Sequence, residues 1–67
     1  MKDYLVHADD HRIEVFCRTL TEAKREAAKI YKDGIIGRND VVIDEYDDHE
    51  LTDVYWIYYK GKIIKVG

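Results

Sequence analysis

The chain has a single cysteine, no serine and no long apolar run in its 67 residues. Each shortage closes a line of argument. With only Cys17 there is no internal disulfide, and without a secretory leader pattern the expected setting is reducing and cytoplasmic. The lack of serine removes the commonest hydroxyl nucleophile. The one close pair of glycines, in Gly34-Ile-Ile-Gly37, does not match a phosphate-binding loop. No segment approaches the roughly 18 apolar residues of a membrane-spanning helix, so no membrane partner is expected. Basic charge is also short: the net charge is −3, which argues against a general nucleic-acid coat, whose affinity comes from phosphate neutralisation.

Length sets a further bound. A chain this short buries only roughly 60% of its unfolded surface, so it reads as one small domain, residues 1–67, with little stability margin and a use for a partner subunit. Charge is unevenly spread. Seven acids and no Lys or Arg lie between Asp40 and Asp53, whereas Lys60, Lys62 and Lys65 follow with no acid.

Alternating apolar residues predict strands over 4–8 and 12–17, joined by a polar turn at Asp9 and Asp10. If the loop is two residues, Val6 faces Ile13 and Tyr4 faces Val15. Thr19-Leu-Thr-Glu22 is a capping box, and Leu20, Ala23, Ala27, Ile30 and Tyr31 form the stripe of a helix lying on a sheet. That helix is expected to stop at Gly34, with Ile35 and Ile36 tucked under its end. A third strand is predicted over 41–46, followed by an acidic loop over 47–53. The last fourteen residues read as a hairpin around Lys60-Gly61, pairing Tyr59 with Lys62, Ile57 with Ile64, Tyr55 with Val66, Trp56 with Lys65 and Tyr58 with Ile63. The order β-β-α-β-β-β predicts an α+β fold, a mainly antiparallel sheet with one helix packed on one face.

One helix covers one face only. The expected inner set is Tyr4, Val6, Ile13, Val15, Val41, Ile43, Tyr55, Ile57, Ile64 and Val66. The outer set then holds Leu5, Phe16, Val42, Tyr46, Trp56, Tyr58 and Ile63, a larger apolar patch than a soluble monomer usually exposes. Phe16, Tyr46, Trp56, Tyr58 and Ile63, with Lys62 and Lys65, are the candidate interaction residues. Two partners suit them. A protein, including a second copy of the chain, would bury the aromatics. Single-stranded nucleic acid would stack its bases on them beside the lysines.

Other side chains offer less. By strand parity His7 points outward while His11 points to the helix side or frays into the turn, and His49 lies among acids that lack the order of a calcium loop, so no metal site is predicted. Cys17 points inward, where a thiol behaves as a small hydrophobe. The acids of 40–53 form either a negative strip imitating nucleic acid or a solvated loop. Nothing supplies a catalytic centre, a cofactor or a pocket for a small-molecule substrate. The segment Arg18-Thr-Leu-Thr-Glu-Ala-Lys-Arg-Glu-Ala-Ala-Lys29 resembles the T-L-x-E-A helix start of HicB-type antitoxins and of other small sheet-and-helix proteins. The resemblance is confined to that stretch and assigns no family. The expectation is a small non-catalytic interaction domain that associates through its helix-free face.

Overall fold

Alternation and capping build the elements where the residues place them. The computed structural model describes residues 1–8, 11–33, 41–59 and 61–67. It contains β1 (Lys2–Ala8), β2 (Ile13–Cys17), α1 (Leu20–Asp33), β3 (Val42–Asp47), β4 (Glu50–Tyr59) and β5 (Lys62–Val66). All strand pairs are antiparallel in one sheet of order β2-β1-β3-β4-β5, so the fold is α+β as predicted. The expected turn at Asp9 and Asp10, the Gly34 stop, the placement of Ile35 and Ile36, and Lys60 lie outside the described residues. No helix among the described residues is long and apolar enough to cross a membrane.

The helix begins at its predicted cap: the Thr19 hydroxyl accepts the Glu22 amide at 3.1 Å, satisfying one of the donors that a helix start leaves open. Ala23 and Ala27 are fully buried against the sheet. Their small side chains let the helix backbone approach β1, β2 and β3 and leave room for larger residues beneath. Tyr4, Val6, Ala8, Cys17, Val41, Ile43 and Trp56 fill that space.

The first hairpin pairs Ala8 with Ile13, Val6 with Val15 and Tyr4 with Cys17. This is two residues away from the two-residue-loop expectation. An even shift returns every side chain to the same face, so the faces of β1 and β2 stand as predicted.

The second departure changes more. The predicted acidic loop is a continuation of β3 and β4 around a tight turn, in which Asp47 pairs with Glu50. Asp48 and His49, at φ 50° and 70°, are its two central residues, as in a type I′ turn. Asp47 and Glu50 put like charges opposite each other, which is unfavourable. The Met1 ammonium offsets this by lying 3.5 Å from Asp47 and 2.8 Å from Asp48.

The tight turn fixes which side of β4 meets the helix. Glu45, on the helix side of β3, accepts a hydrogen bond from the Thr52 hydroxyl at 3.0 Å, so the even-numbered residues of β4 share its face. Between the Tyr46–Leu51 and Asp44–Tyr55 pairs, β4 carries two more residues than β3. That even insertion, a bulge, leaves the faces unchanged. The partners within the last hairpin are all as predicted, but the hairpin faces the other way: Trp56, Tyr58 and Ile63 join the helix side. Trp56 is only 6% exposed and meets Tyr4 edge to face with ring centroids 5.8 Å apart. Tyr58 stacks on Tyr31 of the helix at 4.1 Å. The physical reason is parity: the tight Asp48-His49 turn and the even insertion in β4 carry Trp56 to the helix side, where it packs edge-on against Tyr4.

Candidate functional site

With the hairpin so oriented, the helix-free face is defined by cross-strand rows. One row runs Phe16, Leu5, Asp44, Tyr55, Val66 from β2 to β5, and the next runs Glu14, His7, Val42, Ile57, Ile64. Tyr46 and Leu51 pair beyond the first row, and Tyr59 and Lys62 beyond the second. Five large apolar residues in the strands are exposed: Phe16 at 74%, Leu51 at 61%, Tyr59 at 45%, Ile64 at 41% and Tyr55 at 38%. All five lie on this face. They leave open roughly 500 Å² of side chain, taking about 200 Å² for a large one fully exposed. Leu5 is the apolar residue of this face that its neighbours already bury.

The predicted site residues therefore divide. Phe16, Tyr46 and Lys62 share the open face. Trp56, Tyr58, Ile63 and Lys65 are corrected to the helix side, so the proposed aromatic platform is split by the sheet. Leu51, Tyr55, Ile57, Tyr59, Ile64 and Val66 are the residues that sequence reasoning missed. The two-residue turn at Asp48-His49 was the signal that could have found them.

A polar cluster interrupts the apolar rows. Since a carboxylate only accepts, the His7 Nε2–H donates to Asp44 Oδ2, at 2.9 Å, and the His11 Nδ1–H donates to Glu14 Oε2, also at 2.9 Å. The two imidazoles stack with centroids 4.0 Å apart and planes 10° from parallel. His11 thus sits in the turn before β2, one of the two places expected of it, and stacks over His7 on the open face. Stacked rings direct their nitrogens side by side rather than at one point, and no group of three or more metal-ligating side chains gathers among the described residues.

At the other end of the face, Asp3, Phe16, Arg18, Tyr46 and His49 line an open cleft of about 600 Å³. It shares Phe16 and Tyr46 with the apolar rows and is their continuation.

The acids of 40–53 do not form one strip among the described residues. Asp44 is bound to His7 on the open face. Glu45 is buried on the other side, held by Thr52 and 3.7 Å from the Lys2 ammonium. Asp47 and Asp48 hold the Met1 ammonium, whose hydrogen bond pulls the Asp48 carboxyl below its ordinary value. Cys17 points inward as expected. Burial, with Glu22 and then Glu26 nearby, pushes its thiol above the ordinary 9.0, so it stays protonated and unreactive at neutral pH.

No protein-family model, curated protein or solved structure matches the chain, and the resemblance of its helix start extends to no family.

Proposed function

We propose that this is a small, non-catalytic, cytoplasmic interaction domain, regulatory or inhibitory in role, whose protein partner at the helix-free face of its sheet is a second copy of itself, the two closing as a homodimer. The observation that carries the reading is the placement of the five exposed large apolar residues of the strands on that one face. Their roughly 500 Å² is most of what one side of a standard interface of about 800 Å² requires.

The nucleic-acid reading keeps less. With Trp56, Tyr58 and Lys65 on the helix side, Tyr46, Tyr55, Tyr59 and Lys62 remain to it, beside Asp3, Glu14 and Asp44. Those carboxylates repel phosphate.

The test is sedimentation equilibrium of the full chain. Wild type should dimerise, while Ile64→Lys and Phe16→Glu should each weaken association by about 2 kcal/mol or more, because each sets a charge in place of a large apolar side chain on the contact face. Lys65→Glu, on the helix side, should not. A monomer at every concentration, or oligonucleotide binding that falls steeply with salt, refutes the proposal.

A further inference from the structure

We infer that the His7–Asp44 pair makes self-association of this face proton-linked, so that the dimer tightens as pH falls from about 8 to about 6, the range in which histidine changes charge. The inference rests on the proposed closure by a second copy and adds its regulation. It follows from where the pair lies. β3 is the middle strand of five, so a two-fold stack centred on the face sets β3 over its counterpart, the sheets about 10 Å apart. Asp44 and its His7 partner are then carried into the centre of the interface, facing the same pair of the second copy.

The charge balance gives the sign. With His7 neutral, each pair carries the single negative charge of Asp44. Closure then removes two like charges from water and brings them together. With His7 protonated, each pair is a neutral ion pair joined by a 2.9 Å hydrogen bond, and its burial is opposed far less. The dimer therefore binds more protons than two free chains, and its affinity rises as pH falls. Among the described residues, the charged groups around His7 are Asp44 from β3, Glu14 from β2, and His11 and Arg12 from the turn. β4 brings Tyr55 and Ile57 alongside, with Asp53 further along the strand, and β5 brings Ile64. His11 is stacked on His7 and paired with Glu14 at 2.9 Å; two charged rings at that distance repel, so the stack favours a single added charge per chain, and the pair that closure carries to the centre is His7–Asp44.

Sedimentation equilibrium at about pH 8 and about pH 6, with far-UV circular dichroism confirming the fold at both, tests this directly. Each linked proton changes the dimer constant by at most tenfold per pH unit. One proton per chain over two pH units sets a ceiling of about 10⁴-fold, and within it wild type should bind more tightly at the lower pH by about tenfold or more. His7→Gln, which leaves the Asp44 charge without an offset, should stay weak at both. Asp44→Asn, which removes that charge, should associate tightly at about pH 8 and gain nothing on acidification. A wild-type dimer of equal affinity at the two pH values overturns the linkage and leaves the face intact as an interface. A monomer at both overturns the linkage together with self-association.

Discussion

Trp56→Ala, set against Ile64→Ala in the partner strand of the same hairpin, tests which way the hairpin faces. Trp56 is 6% exposed and packs on Tyr4, whereas Ile64 is 41% exposed on the other side. Truncating a buried tryptophan costs about 3–5 kcal/mol, because both the transfer of the ring and the cavity it leaves count against the fold. A domain of this length holds roughly 3–10 kcal/mol in total, so Trp56→Ala removes most of the folded population's margin. Ile64→Ala should cost less than about 1 kcal/mol in the monomer. Urea unfolding followed by far-UV circular dichroism, at concentrations dilute enough to exclude association, reads the difference. With a slope near 1 kcal/mol per molar urea, the Trp56 variant's midpoint should fall by about 3 M or more, and the Ile64 variant's by under about 1 M. In the wild type, tryptophan emission should be blue-shifted and poorly quenched by acrylamide at every concentration. Equal, small losses in the two variants, or a red, readily quenched tryptophan in the dilute protein, would place Trp56 on the open face and refute the orientation argued above.

Three further outcomes follow from single contacts. His49→Gly should raise stability by about 1 kcal/mol, seen as a higher urea midpoint, because glycine takes the φ of 70° at that turn position without a side-chain penalty; a lower midpoint would contradict the turn. Thr52→Val removes the donor to buried Glu45 and should cost about 1–3 kcal/mol, measured the same way; no loss would mean that the carboxylate is solvated. Cys17 has its pKa raised in the folded chain, so the fold keeps a proton that the unfolded chain releases. Stability should therefore fall as pH climbs through about 9, and Cys17→Ala should flatten that decline. Native Cys17 should also react slowly with iodoacetamide at neutral pH, and fast alkylation would contradict its burial.

The fold was legible where patterns were one-sided and illegible where they were two-sided. In β1 and β2, Tyr4, Val6, Ile13, Val15 and Cys17 share one face while His7 and Glu14 mark the other, and a loop length misjudged by two residues could not move them across. In the last hairpin both faces are apolar: Trp56, Tyr58 and Ile63 compete with Tyr55, Ile57 and Ile64, and alternation alone cannot rank them. What ranks them is continuity from β3, and that continuity passes through Asp47-Asp-His-Glu50. An Asp-His turn lacks the glycine that marks most two-residue hairpins, so an acidic run read as a loop disconnected β4 from the strand that sets its parity. Once Asp48 and His49 are the turn, the pairing of Tyr46 with Leu51 follows, and the even insertion of the bulge carries the same parity to Trp56.

The candidate site depended on the same step. An apolar sheet face left open by a single helix was readable from the strand count and the surplus of large side chains. Which aromatics compose it was not, because a turn far along the chain decides it. The His7–Asp44 pair was less readable still, since residues 37 positions apart meet only when β3 returns to lie beside β1. Alternation already set His7 outward from β1; β3 then supplies the carboxylate beside it. The same central position that makes β3 hold the sheet together puts this ionisable pair in the middle of the open face, so the closure proposed above would be tied to the charge of His7.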